Sequence, residues 1–164
     1  MIKIVLVTDE NNIIGHSNLG DYFERASQWS KDKVAEIDKI FAGDNMVVGR
    51  TTLPLCSSYI PKYDDFYVLT QSPDKYSETN CDVTFTSDYM KLVEKYQDSK
   101  NTLIVGGGKA TWEIFLPYAK EFIICLTYDE SMGDIVFDDW TKLNTVLTKE
   151  EEWNGGKTQY YQVD

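Results

Sequence analysis

The sequence predicts an α/β fold on a mostly parallel sheet, and three observations carry that expectation. Short apolar runs at residues 2–8, 45–48 and 103–105 suit strands buried on both faces. They alternate with stretches of helical spacing, and such alternation implies parallel strands joined by helices. The last two apolar segments, 143–148 and 158–163, instead flank Asn154-Gly155-Gly156 and read as an antiparallel hairpin.

Residues 2–8, IKIVLVT, are expected to form a central strand, with a turn at residues 9–12 before Ile13-Ile14-Gly15. From Tyr22 to Gly43 the spacing predicts one long helix. Val34, Ile37, Ile40 and Phe41 form its apolar stripe, and Gly43 suits a C′ cap. Residues 45–48 end at Gly49-Arg50, after which Thr51-Thr52-Leu53 should open a helix at the strand's carboxyl end. Residues 66–70 and 82–86 are the next strands. Ser87 is placed as the N-cap of a helix carrying Tyr89, Leu92, Val93 and Tyr96 on one face. The run 103–105 leads through Gly106-Gly107-Gly108 into a helical pattern from Lys109 to Leu116, stopped by Pro117. Residues 121–128 are a further strand, and Gly133-Asp134 precedes Ile135-Val136-Phe137.

The glycine turn offers chemistry. Three glycines at a strand's end remove every side chain, so backbone N–H groups and a helix N-terminus can approach a phosphate, with Lys109 as a cation on the rim. GGGKAT does not fit G-x-G-x-x-G, and no acidic residue follows at the right distance in a further βαβ unit, which disfavours a standard dinucleotide-binding domain. Arg50 supplies a second cation at a second strand end.

With 164 residues, 42% of them hydrophobic, the chain is of single-domain length and can bury a real core. A net charge of −11 argues against nucleic acid as a partner and means that an anionic ligand needs local cations. No apolar run approaches the roughly 18 residues of a membrane span, and the chain opens directly into a strand pattern, so a cytoplasmic location is expected. Cys56, Cys81 and Cys125 fit reduced thiols better than a disulfide framework or a zinc site. The single histidine, His16, excludes a two-histidine metal centre, and no metal is expected.

Taken in order, five blocks resemble the dihydrofolate reductase family over nearly the whole chain. They are the first strand and Ile13-Ile14-Gly15 with Asn18; residues 47–52, VVGRTT; Val68-Leu69-Thr70; residues 104–108, IVGGG, with Glu113 to Pro117; and Gly133-Asp134 followed by Phe137. The resemblance implies a three-layer fold with an eight-stranded, mostly parallel sheet and about four helices. It also implies NADPH bound along the carboxyl ends of the strands, and hydride transfer to a reduced pterin.

Residue by residue, the resemblance assigns Arg50, Thr70 and Gln71, with Leu69 beside them, to the 2′-phosphate and ribose end of NADPH. A guanidinium there gives fork-shaped donors that an ammonium does not. Gly49, Thr51 and Thr52 fall to one side of the pyrophosphate. Val105, Gly107, Gly108, Lys109, Ala110 and Thr111 fall to the other side and the nicotinamide ribose. Val7, Ile14 and Gly15 would cover the nicotinamide and exclude water. Val5, Ile37, Lys62, Trp112 and Thr127 fall on the substrate side.

Three departures stand beside these matches. The family's Pro-Trp after the Asn matching Asn18 is replaced by Leu19-Gly20-Asp21-Tyr22. The Arg that clamps folate's glutamate tail falls at Tyr63 or Asp64, leaving Lys62 as the nearest cation. Ungapped counting from Gly43 puts Lys33 in the slot of the ring-binding acid. A one-residue shift at the helix start would turn Asp32 inward instead, and Asp32 is the first candidate for that acid, with Glu36 second. Reduction of 7,8-dihydrofolate is the leading expectation. The alternatives are a fold relative reducing another heterocycle, such as the ribosylamino-pyrimidine of riboflavin synthesis, or an NADP-binding protein without turnover.

Overall fold

The apolar runs become interior strands. The computed structural model describes residues 1–76, 82–129 and 133–164. Its elements in chain order are β1 (Ile2–Asp9), β2 (Ile13–Gly15), α1 (Leu19–Ser27), α2 (Lys31–Ile40), β3 (Asn45–Gly49), β4 (Asp65–Leu69), β5 (Thr84–Thr86), α3 (Tyr89–Tyr96), β6 (Leu103–Val105), α4 (Lys109–Phe115), β7 (Glu121–Thr127), β8 (Ile135–Val136), β9 (Thr145–Trp153) and β10 (Gly156–Val163). Eight of the strands form one sheet in the order β5-β4-β3-β6-β1-β7-β10-β9, and β2 pairs with β8 separately. Among the described residues, no helix is long and apolar enough to cross a membrane.

The chain divides into two compact units. One comprises Met1–Ile4 with Gly43–Lys120, the other Val5–Ala42 with Glu121–Asp164.

In the first unit β5, β4, β3 and β6 are parallel neighbours, and β6 pairs in parallel with Ile2–Ile4 of β1. Met46, Val47, Val48, Leu103, Ile104 and Val105 are all buried, as continuous apolar runs in a covered parallel sheet require. Helix α3 buries Leu92, Val93 and Tyr96. Its N-cap is Asp88, which accepts from the Lys91 amide, so the cap lies one residue beyond the expected Ser87. Thr51 and Thr52 do not open an α-helix. Short 3₁₀ turns, Leu53–Cys56 and Ile60–Lys62, follow instead. Pro61 lacks the N–H that a continued helix would donate. Gly43 does not cap α2 in a left-handed conformation; a Cβ there would collide with the Ile104 side chain, so close packing is what calls for glycine.

In the second unit β10 pairs antiparallel with both β7 and β9. The expected long helix over 22–43 is two helices. The Ser30 backbone is extended at φ −63° and ψ 156°, and its side chain accepts from the Lys33 amide to start α2 afresh. The buried face of α2 holds Lys33, Glu36, Ile37 and Ile40, whereas Val34 is exposed and Phe41 only half-buried. The expected stripe is thus rotated, and two charged side chains lie on the inward face. Helix α1 is capped by Asn18, which accepts from the Asp21 amide, and it buries none of its residues. At the hairpin only Gly155 has a positive φ, +117°, as a type II turn requires at its second central residue.

Candidate active site

In the first unit the parallel register brings four strand ends together. Gly49 pairs with Leu69, Leu69 pairs with Thr86, and Val47 pairs with Val105. The glycine turn then docks beside β3: the Gly106 amide donates to the Val47 carbonyl at 2.9 Å, and the Gly49 amide to the Gly107 carbonyl at 2.8 Å. A Cβ on Gly49 would lie 2.8 Å from Thr111 Oγ1, and one on Gly108 3.2 Å from Thr52 Oγ1. Only glycine lets these turns approach so closely, with Gly107 at φ +141° and the Gly107–Gly108 peptide cis.

Gly108 precedes α4 without any side-chain cap, so the first-turn amides of Lys109, Ala110 and Thr111 have no capping side chain. Lys109 pairs with Glu113 at 3.9 Å on the rim. Arg50 is exposed directly after β3, its guanidinium carbon 5.4 Å from the Tyr76 ring centroid. Tyr76 in turn stacks on Phe85 at 5.8 Å. The Thr70 amide donates to the Thr86 carbonyl at 2.9 Å, and the Thr70 hydroxyl accepts from the Ser72 amide at 3.3 Å. Gln71 is exposed beside it. A cation, a hydroxyl and an amide therefore end two adjacent strands, next to a cradle of bare backbone. The chemistry of these residues fits the phosphates and ribose of a dinucleotide. Trp112 is buried, its indole N–H donating to the Val105 carbonyl at 3.0 Å, and Lys62 stands exposed over the Tyr59 ring at 4.8 Å.

In the second unit, Val7 and Ile14 are half-buried, and Val5, Gly15, Ile37 and Thr127 are buried. Asp32 does not turn inward. It is exposed and accepts from the Asn154 side chain at 2.8 Å, because Ser30 fixes the helix start in the ungapped register. Glu36 is inward but engaged: Thr158 Oγ1 donates to it at 2.5 Å, and Lys39 Nζ lies 3.4 Å away. Lys33 takes the inward slot at 2% exposure, with Nζ 3.1 Å from Asp129 Oδ2 and 4.2 Å from the Trp29 ring centroid. Burial pushes the Lys33 ammonium below its ordinary pKa, against the opposing pull of Asp129.

Asp129 and Trp29 line an open cavity of about 590 Å³ with Asp21, Glu24, Arg25 and Ser30, large enough for a fused heterocycle. The sequence expectations did not include Asp129 or Trp29. The signal for Asp129 was indirect: a lysine on a buried helix face needs a counter-charge, and Asp129 lies two residues past the strand that ends at Thr127. Cys56 and Cys125 are buried free thiols, as expected, while Cys81 lies outside the described residues.

An NADPH-type cradle on a largely parallel sheet defines a class of reductases, and comparison with known proteins narrows it. The family model for dihydrofolate reductase matches residues 1–164, and the chain belongs to that family. Dihydrofolate reductase 1 of Haloarcula marismortui is 25% identical over 164 residues, covering 87% of this chain and 83% of that protein. A solved structure of dihydrofolate reductase from Enterococcus faecalis, complexed with NADP(H) and RAB-propyl, superposes with a TM-score of 0.72 at 18% identity. That match covers 100% of this chain and 96% of the other, a likeness of fold.

Proposed function

We propose that this chain is an NADPH-dependent oxidoreductase that reduces 7,8-dihydrofolate to tetrahydrofolate in one-carbon metabolism. The observation that carries this reading is the backbone cradle of Gly49, Gly107 and Gly108, in a chain matched from end to end by the family model. Bound NADPH supplies the hydride. Arg50 with Thr70 and Gln71 binds the 2′-phosphate and ribose, and Thr51 and Thr52 hold one side of the pyrophosphate with their amides. Gly107, Gly108 and the first-turn amides of α4 hold the other side. Val7, Ile14 and Gly15 keep water from the nicotinamide, and Val5, Ile37 and Thr127 enclose the reducible ring. Trp112 and Lys62 belong to the substrate side in the same reading. Residues 1–164 act as one dihydrofolate reductase-like domain, in the cytoplasm and without a nucleic-acid partner. The net charge of −11 supports the last point.

The test is steady-state NADPH oxidation with 7,8-dihydrofolate, with and without an antifolate. Turnover that requires both substrates and stops with the antifolate is expected, and its absence overturns the reading. Reduction of another heterocycle is the second reading, favoured by Lys33 in the acid's slot and by Tyr63 and Asp64 where an Arg clamp would stand. A substrate screen with NADPH separates the two.

A further inference from the structure

Arg50 is exposed directly after β3, and an arginine side chain in solvent samples many rotamers that it must give up when it binds an anion. A carboxylate partner would fix it, but would also neutralise it. Among the described residues no carboxylate pairs with Arg50. An aromatic ring stands beside it instead, with the guanidinium carbon 5.4 Å from the Tyr76 centroid. A ring face attracts a cation without cancelling its charge.

The place of Tyr76 follows from its neighbours in sequence. Pro73 opens a 3₁₀ turn over Pro73–Lys75, closed by the Tyr76 amide donating to the Pro73 carbonyl at 3.0 Å. The Tyr76 ring then stacks on Phe85, with centroids 5.8 Å apart and planes inclined by 26°. Phe85 lies in β5 opposite Val68 of β4, and the next carbonyl, that of Thr86, accepts from the Thr70 amide. Tyr76 thus joins β5 to the end of β3, the strands on either side of β4, whose end carries Thr70 and Gln71. Lys75 Nζ lies 5.7 Å from the same centroid. Two cations about one ring repel each other, and an anion bound beside them relieves that repulsion.

We propose that Tyr76, braced by Phe85, is a positioning residue for Arg50 and thereby sets how strongly this protein prefers a cofactor with a 2′-phosphate. That role rests on the NADPH reading above. Arg50 makes the contact with the phosphate. Tyr76 holds the guanidinium near its bound position beforehand, so less side-chain freedom is lost on binding. No bond is made or broken at that end of the cofactor, and the effect belongs to binding alone. NADH, which carries a hydroxyl in place of the phosphate, gains nothing from an ordered Arg50.

The experiment titrates the full-length protein with NADPH and with NADH, following nicotinamide fluorescence. It compares wild type with Tyr76→Phe, Tyr76→Leu, Tyr76→Met, Arg50→Ala and the Arg50→Ala/Tyr76→Leu double variant. The readout is the ratio of the two affinities on one preparation, which a partly unfolded sample leaves unchanged. Tyr76→Leu and Tyr76→Met should each lower that ratio by roughly two- to fivefold through NADPH alone, the loss of one exposed cation–π contact. Tyr76→Phe keeps the ring and should keep the ratio. In the double variant Tyr76→Leu should add nothing to the loss from Arg50→Ala, because a residue that acts through another has no effect once that other is gone. Equal weakening of NADPH and NADH by Tyr76→Leu, which a merely structural role would give, overturns the proposal. A selective loss in Arg50→Ala with silent Tyr76 variants also overturns it, while the NADPH reading stands. If wild type binds the two cofactors alike and Arg50→Ala changes neither, the assignment of Arg50 to the phosphate and the role of Tyr76 fall together.

Discussion

The hydroxyl of Thr158 donates to the Glu36 carboxylate at 2.5 Å, joining the buried face of α2 to the middle strand of the C-terminal antiparallel ladder. Thr158 is fully buried and Glu36 is 8% exposed, so the carboxylate depends on this donor and on Lys39. Thr158→Val keeps the shape and removes the donor. It should lower stability by about 1–3 kcal/mol, the cost of leaving a buried acceptor short of a partner. Glu36→Gln should cost less, because the amide oxygen can still accept. Urea unfolding of both variants checks the order, and equal losses would mean that the hydrogen bond contributes nothing.

Arg50 should decide between the two nicotinamide cofactors. Losing one charge-assisted contact to a 2′-phosphate costs about 1.5–3 kcal/mol, so Arg50→Ala should weaken NADPH roughly tenfold to a hundredfold. NADH, which lacks that phosphate, should change little. Titration of both cofactors tests this, and equal losses would take Arg50 away from the phosphate.

Lys33 should make stability rise with alkaline pH. Burial lowers its pKa in the folded protein below the ordinary 10.5 of the unfolded chain. Between those two values the unfolded chain binds more protons, so stability increases as pH rises through the folded pKa and levels off above 10.5. Below the folded pKa the cost of burying the charge is present in full. Lys33→Met removes the buried ammonium while Asp129 stays half-exposed, and it should be more stable than wild type by roughly 1–2 kcal/mol at neutral pH. That advantage should shrink as pH climbs. Chemical unfolding at stepped pH measures it, and a destabilised variant would show that the pair itself supports the fold.

Burial pushes the thiols of Cys56 and Cys125 up to about 12. Both should resist alkylation at neutral pH in the folded protein and react at once in denaturant. Peptide mass spectrometry resolves each site, and rapid labelling of Cys125 in native buffer would contradict its burial.

Strand identity was legible wherever apolar runs were unbroken, as at Leu103–Val105, and the cradle was legible because glycines at strand ends are visible in one dimension. The break between α1 and α2 was not. Ser30 is followed at its third position by Lys33 instead of an acidic partner, so no capping box marks the start. The buried face of α2 was misread for a related reason. Apolar periodicity finds apolar faces, whereas Lys33 and Glu36 are made tolerable inside by Asp129 and Thr158, 96 and 122 residues further along the chain. Partners that distant leave no local pattern. A strand-end position favours a helix at Thr51-Thr52 in sequence, but the chain forms only short 3₁₀ turns there, with Pro61 in the second.

The hairpin has a colloidal consequence. Strand β9 lies at one end of the eight-stranded order, where a row of unpaired amides and carbonyls could recruit a strand from another molecule. Lys149, Glu150, Glu151 and Glu152 follow one another along it, so charges stand on both of its faces. Hydrogen bonds from Lys149 and then Lys39 hold Glu151 down to about 2, and contacts with Gln159 and Lys157 lower Glu150 as well. Glu151 therefore stays ionised in acid that neutralises ordinary carboxylates, and self-association on acidification should begin on some other surface.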